Sequence, residues 1–264
     1  MNFYWVYDIP NWLFGLLVLT AVVGFSVVGL HRTRGWARRR IGEAPAANEI
    51  VDSYLAAVGV FYGITLGLIS VGTWENFSEV EKACGQEAGA LAALYRDISS
   101  YPEPARAALR GRLREYTRYV IQDSWPQQQR GIVPRGEAER LDVFEQSLLA
   151  FEPQTGGQQT LHQESVRQFN RLIELRDARL QSVTTGLSGV LWGVVFTGAI
   201  LNIVLTWLIV MDRVWLHLLL TAILSALVAL LIFMVAAMDH PYRGEYSVSP
   251  EPFRIVYDQL MKPD

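Results

Sequence analysis

The sequence lacks most of the features that an enzyme active site requires. Its only cysteine is Cys84, so no disulfide can form within the chain. It contains no Walker loop, no nucleophile elbow and no HExxH motif, and none of its four histidines has a partner at ligand spacing. We therefore expect a protein that is not an enzyme and that holds neither a metal nor a cofactor. The net charge is −3 and there is no basic face suited to nucleic acid.

Charged residues are also missing from four long apolar runs. Hydrophobic residues make up 51% of the chain and charged residues 19%, so the protein must have both a lipid-exposed part and a water-exposed part. Residues 12–30, 54–73, 186–210 and 215–238 contain no Asp, Glu, Lys or Arg, and each run can cross a lipid bilayer as a helix. We expect two transmembrane hairpins, in residues 1–74 and 186–238. The absence of charge within the spans excludes a proton relay or a charge-pair transporter.

The segment between spans two and three, residues 75–185, is polar, and almost every basic residue in it is an arginine. Its apolar residues recur at helical spacing, as at Leu109, Leu113, Tyr116 and Val120, and it shows no alternating strand pattern. Proline and glycine clusters separate four predicted helices, 75–99, 104–123, 135–151 and 159–183. The predicted fold class is therefore all-α, with four transmembrane helices, a helical bundle inserted between spans two and three, and a tail over residues 239–264.

The distribution of arginine predicts the orientation of the chain in the membrane. The segment before span one has no Lys or Arg, whereas the short loop after it has five arginines. By the positive-inside rule the loop is cytoplasmic, so both termini and the helical bundle are extracytoplasmic. Arg243 and Arg254 would then lie outside, which is weak evidence against this orientation. We expect a multi-pass protein of the bacterial cytoplasmic (inner) membrane. The five loop arginines are Arg32, Arg34, Arg38, Arg39 and Arg40.

Span two carries a stripe of small and polar residues on one helical face. A face of this kind presents its backbone to another helix or to water and not to lipid. Two interpretations are compatible with each other. Gly59, Gly63 and Gly67 can pack tightly on a neighbouring helix, or the stripe can line a pore in an oligomer. The candidate pore-lining residues are Asp52, Ala56, Gly59, Gly63, Gly67 and Ser70.

Carboxylates lie at both ends of span two. Glu49 and Asp52 precede it, and Glu75 and Glu79 follow it. Around an axis they would form rings of negative charge at two pore mouths, which would concentrate cations. In the alternative interpretation they simply lie in the headgroup region at the ends of a helix. Three bulky residues of the span are candidates for a gate: Phe61, Tyr62 and Trp74.

The chain carries the motifs Asn48-Glu49, Trp74-Glu75, Glu87, Leu94-Tyr95-Arg96, Trp125-Pro126, Asp177-Ala178-Arg179 and a tail from Met238 to Phe253 that is rich in turn-forming and aromatic residues. Together these motifs resemble those of the bacterial bestrophin-like membrane family. The resemblance covers nearly the whole chain. True bestrophins are pentameric anion channels with four spans per subunit, a pore lined by the second span and a large cytoplasmic domain. The resemblance therefore implies a channel-like protein, although the acidic mouths differ from an anion pore and the arginine cluster places the large domain outside.

These observations together predict an oligomeric protein that conducts inorganic ions passively along an axis lined by span two, with a preference for cations. We expect a homo-oligomer of four or five subunits within the lipid bilayer. The alternative, from a different functional class, is a membrane-anchored sensor or scaffold whose external bundle binds a partner.

Overall fold

The computed structural model describes residues 4–41 and 45–262, and within these ranges the chain is helical and has no strand. The prediction of an all-α protein is confirmed for these residues. Short non-α segments cover Tyr4–Asp8, Val120–Ser124 and Tyr257–Met261. The helices are α1 Asn11–Arg40, α2 Pro45–Ile98, α3 Ala105–Tyr119, α4 Trp125–Gln129, α5 Gly136–Leu149, α6 Gly156–Ser182, α7 Gly189–Leu208, α8 Val214–Met238 and α9 Glu251–Val256.

Four of the described helices, α1, α2, α7 and α8, are long and apolar enough to cross a membrane. Helix α2 has 54 residues and extends well beyond the charge-free run of span two. The chain forms two compact units. The first contains the described residues up to Glu75 together with Gly186–Asp239 and Gly244–Tyr246, and the second contains Asn76–Thr185, His240–Arg243 and the described residues from Ser247 onward.

The first unit contains α1, α7, α8 and the part of α2 up to Glu75. Its buried cluster contains residues of α2, α7 and α8, and α1 packs against α7 and α8. Tyr62 belongs to this cluster, and its hydroxyl donates a hydrogen bond of 3.1 Å to the Val195 carbonyl. Close packing of small and branched side chains stabilises helix pairs within a bilayer. The buried cluster comprises Tyr62, Leu66, Val195, Ala199, Val228, Ile232 and Val235.

Polar side chains hold the ends of α7 in the first unit. At its C-terminal end the Asn48 amide donates to the Val210 carbonyl at 2.7 Å and accepts from the Val210 amide at 2.9 Å. Near its N-terminal end the Asp239 carboxylate accepts hydrogen bonds from the Leu187 amide and from the Trp192 indole. The backbone groups at a helix terminus have no partner within the helix, so these side chains satisfy groups that lipid could not.

The second unit is a helical bundle that the tail completes. Its core includes the tilted ring pair of Phe144 and Phe169, with centroids 5.3 Å apart. From the tail, Tyr242 and Phe253 place their rings against Trp125, at 5.7 and 5.8 Å, and the Trp125 indole donates to the Val248 carbonyl. These three aromatic side chains are fully buried. The tail is therefore part of the core of this unit.

Two local predictions were wrong. The five arginines after span one do not lie in a loop, because α1 continues to Arg40. The proline at position 126 does not break the chain either, since a π-helical turn over Val120–Ser124 leads directly into α4. Pro126 is the second residue of α4 and directly follows the π-helical turn.

Candidate functional site

The face of α2 that carries the small-residue stripe is largely unpacked within the chain. A Cβ atom added at Gly63 or Gly67 would meet no heavy atom within 4 Å, and one added at Gly59 would meet only the Asn202 amide oxygen at 3.5 Å. Asp52 and Ala56 are exposed. These glycines therefore make no tight helix contact within the chain, and their surface is open to a partner chain, to lipid or to water.

The last residue of the stripe has a different environment. Ser70 is buried, and its hydroxyl donates to the Leu66 carbonyl at 2.8 Å. This is the common arrangement in which a helical serine bonds back to the preceding turn. The C-terminal end of the stripe is therefore buried in the first unit, whereas its other five residues are exposed or partly exposed.

The four carboxylates at the ends of span two are all exposed. In the part of the chain that the structure describes, no ion pair or side-chain hydrogen bond is formed by the carboxylates of Glu49, Asp52, Glu75 or Glu79. Within a single chain their negative charge is therefore not neutralised by arginine. Exposed carboxylates of this kind can attract cations from solution.

The three candidate gate residues occupy two kinds of position. Phe61 is 74% exposed and Trp74 is 52% exposed, so both side chains lie on the open surface of α2. Tyr62 is only 8% exposed and belongs to the buried cluster of the first unit. It also meets Gly198 of α7 closely, because a Cβ at Gly198 would lie 2.3 Å from the Tyr62 ring. Phe61 and Trp74 are available for contacts outside the chain, whereas Tyr62 is not.

An apolar groove of about 520 Å³ runs between α2 and α7 beside these residues. Phe61 and Tyr62 form part of one wall, and Gly193 and Gly198 form part of the other. The groove has no charged side chain in its lining. It can accept apolar groups but offers nothing that would hold an ion.

The second unit contains a buried network of charges that the sequence analysis did not identify. Arg179 of α6 donates to both oxygens of Glu87 of α2, at 2.6 and 3.1 Å, and to Glu137 of α5 at 2.8 Å. All three side chains are completely buried. Arg176 also donates to Glu137, at 3.0 Å. The network therefore ties three helices of the bundle together.

Neutral groups complete the network. Tyr116 donates to Glu87 at 3.1 Å, Ser124 donates to Glu137, and Gln128 donates to Ser124 at 2.9 Å. The Arg179 guanidinium also lies over the Trp125 ring, with 5.8 Å between the guanidinium carbon and the ring centroid. Glu87, Trp125 and Arg179 belong to the motifs that carry the family resemblance, but helical spacing alone gave no reason to place them together.

The protonation behaviour of this network follows from burial and from Arg179. Burial raises the pKa of the Glu87 carboxyl above its usual range and outweighs the opposing attraction of Arg179. Burial also acts on Glu137, but Arg179 and the hydrogen bonds from Arg179 and Ser124 outweigh it, so the pKa of Glu137 is lowered. Burial opposes the charged form of Arg179, yet the two carboxylates raise its pKa well above the usual value. Arg179 is thus the charge on which the two carboxylates depend.

Among the described residues, no group of three His, Cys, Asp or Glu side chains is arranged to hold a metal ion. The single thiol, Cys84, is buried and lies 3.7 Å from the Tyr242 hydroxyl. Burial raises the pKa of this thiol to about 11. A thiol with a raised pKa is mostly protonated at neutral pH and is a poor nucleophile.

The fold and the four apolar helices define an all-helical membrane protein. The family model of the bestrophin-like domain matches residues 15–253, so the chain belongs to the bestrophin-like family, as the sequence motifs predicted. No curated protein matches the sequence.

Solved structures share the fold. A bacterial bestrophin homolog from Klebsiella pneumoniae, solved by Zn-SAD phasing, is 12% identical with a TM-score of 0.68, and the match covers 94% of this chain and 99% of that one. A point mutant of the Klebsiella pneumoniae bestrophin homolog is 13% identical with a TM-score of 0.70 and the same coverage. At these identities the likeness establishes the fold alone.

Proposed function

We propose that this protein is a subunit of an oligomeric ion channel in which α2 lines the central axis. The observation that carries the proposal is the open surface at Gly63 and Gly67, where the chain provides no packing partner. A helix surrounded only by lipid gains nothing from exposed glycine backbone, whereas close contact with neighbouring helices or a hydrated axis makes use of it. Family membership supports a channel-like role.

The exposure of each α2 residue decides whether it remains in the proposal. Asp52, Ala56 and Gly63 are exposed, and Gly59 and Gly67 are partly exposed, so all five remain candidate pore-lining residues. We leave out Ser70 and Tyr62, because both are buried within the first unit. Phe61 remains as the candidate gate within the span, and Trp74 as a candidate gate at its end.

We further propose that the channel prefers cations, because the exposed carboxylates at the two ends of span two would form acidic rings around the axis. Neutralising two of them, in the double variant Asp52→Asn and Glu75→Gln, should shift the reversal potential of the purified protein in liposomes towards zero under a potassium chloride gradient. The matched control is Glu145→Gln, since Glu145 is an exposed carboxylate of α5 outside span two. An unchanged reversal potential in the double variant would remove the basis for cation preference.

Conduction itself is tested on the wild-type protein in the same liposomes. We expect ion flux that depends on the protein, and particle images of the solubilised protein that show a ring of four or five subunits with α2 innermost. A monomer, or an axis sealed by apolar packing, would contradict the channel. It would favour the alternative of a membrane-anchored sensor or scaffold.

We also propose that the protein crosses the inner membrane four times, through α1, α2, α7 and α8, with the second unit extracytoplasmic. The arginines in the last part of α1 support this orientation. The variant Glu145→Cys should react with a membrane-impermeant maleimide in intact cells, and Arg39→Cys should react only after lysis. Both can be made without removing Cys84, which is fully buried. Labelling at position 39 but not at position 145 in intact cells would show that the orientation is the opposite one.

A further inference from the structure

Helix α3 of the second unit carries a row of arginines that repeats every four residues: Arg106, Arg110, Arg114 and Arg118. Side chains four residues apart lie on the same helical face, about 6 Å apart along the axis. Like charges at this spacing destabilise a helix. A row of four therefore needs compensation from somewhere else.

Among the described residues, only the first arginine of the row forms an ion pair, and the same carboxylate also attracts Arg110 at longer range. Arg106 donates to Glu103 at 2.9 Å. In the part of the chain that the structure describes, Arg110, Arg114 and Arg118 form no ion pair. Other arginines of the same unit do reach carboxylates, namely Arg140, Arg167, Arg171, Arg176 and Arg179. Three successive positions of the row on α3 therefore carry a positive charge that no carboxylate of the described residues offsets within ion-pair distance.

Tyrosines hold the three remaining guanidinium groups in place. Arg110 lies over the Tyr95 ring, 4.8 Å from its centroid, and Arg114 donates through Nε to the Tyr95 hydroxyl at 3.2 Å. Arg118 donates to the Tyr257 hydroxyl through Nε at 3.3 Å and through Nη2 at 2.9 Å. Aromatic rings and hydroxyls orient a guanidinium but do not neutralise it. The positions of these groups are therefore fixed while their charge is left available.

The hydrogen-bonding groups of Arg110 are also incompletely satisfied within the chain. The Nε atom of Arg110 is buried and has no hydrogen-bond acceptor in the structure. Arg110 and Arg114 are both only partly exposed. Leaving a buried donor of a charged group without an acceptor has a free-energy cost, so the contact with the Tyr95 ring does not fully satisfy the Arg110 guanidinium.

We propose that Arg110, Arg114 and Arg118 form a binding site for a small anion that carries two or more phosphate groups. A guanidinium binds phosphate through two parallel hydrogen bonds, and three guanidinium groups in a row match an extended polyanion better than a single charge. The shared chemistry is the run of phosphate groups, which a condensed inorganic phosphate or an organic bisphosphate could supply. The proposal is independent of ion conduction.

The test is a calorimetric titration of the full-length protein in detergent and phosphate-free buffer, with tripolyphosphate as the probe. We expect saturable binding, weakened about tenfold or more by Arg114→Gln and by Arg118→Gln, because each removes a charge-assisted pair of hydrogen bonds. Arg118 is exposed, so its variant should fold normally. The matched control is Arg112→Gln, which removes the same charge from another face of α3, where Arg112 shares a groove with Glu115 and Glu139. It should weaken binding by less than about threefold.

Further probes distinguish the source of the phosphate groups. Fructose 1,6-bisphosphate binding more tightly than tripolyphosphate would indicate an organic bisphosphate, and the reverse order would indicate condensed phosphate. Either order supports the site if orthophosphate binds much more weakly than both. The proposal is overturned if tripolyphosphate does not saturate, if citrate binds equally well, or if Arg112→Gln weakens binding as much as Arg114→Gln.

Discussion

Replacing Arg179 with methionine should lower the free energy of unfolding of the second unit by about 3–5 kcal/mol, the usual cost of removing one partner from a buried ion pair. Methionine fills much of the same volume but leaves Glu87 and Glu137 buried without their shared cation. The measurement is a urea titration of the detergent-solubilised protein, followed by tryptophan fluorescence. A loss below about 1 kcal/mol would show that the carboxylates do not depend on Arg179.

The control for this variant is Arg171→Met, on the same helix. Arg171 forms an exposed ion pair with Glu174, and exposed pairs contribute little, so the change should be below about 1 kcal/mol. The deficit of Arg179→Met should also depend on pH. Without the attraction of Arg179, burial raises the pKa of the Glu87 carboxyl further above its unfolded value, and such a group favours the folded state at low pH. The deficit should therefore shrink as the pH falls through the raised pKa of Glu87 towards the unfolded value of about 4.3.

The substitution Gly198→Ala should disrupt the core of the first unit. The added Cβ would lie 2.3 and 2.5 Å from two atoms of the Tyr62 ring. The ring cannot yield easily, because it is packed among apolar residues and its hydroxyl bonds to the Val195 carbonyl. Overpacking of this kind costs about 1–3 kcal/mol. We expect the variant to unfold at a lower SDS concentration than the wild-type protein in mixed micelles.

Helix α7 itself offers the control for Gly198→Ala. Gly193 lines the same groove, but a Cβ there would meet nothing within 4 Å. Gly193→Ala should leave stability unchanged or raise it by up to about 1 kcal/mol, because alanine is the better helix former. Equal effects of the two substitutions would mean that Tyr62 moves freely and is not held in the core.

The sequence predicts the helices well because their apolar patterns are local. The charge-free run 215–238 agrees closely with α8, and the predicted helix 159–183 agrees with α6 to within three residues at either end. Helix ends that depend on the surrounding structure are harder to predict. Arginines after an apolar run suggest a loop at the membrane surface, yet α1 remains helical to Arg40. Arginine is itself a good helix former, so a change in polarity does not by itself end a helix.

The residues of the candidate sites divide in the same way, into those that a local sequence pattern identifies and those that depend on contacts distant in the sequence. The stripe on span two is a local pattern, so its residues could be named from sequence, but only the structure shows that Tyr62 faces the core while Phe61 does not. The bond between Glu87 and Arg179 joins residues 92 positions apart, a separation that no helical period reveals. Glu87, which lies among alanines and glycines of α2, is the one local sign of this network. A buried carboxylate at such a position needs a cation nearby.

The docking of the tail has a consequence for synthesis of the protein. Trp125 is surrounded by Tyr242, Val248 and Phe253, which the ribosome adds more than a hundred residues later. Helices α7 and α8 lie between these parts of the sequence. While the later residues are still missing, the nascent bundle has an incomplete core and an indole without its acceptor. The second unit thus begins to form before α7 and α8 are synthesised, and it is completed only after α8 has left the ribosome.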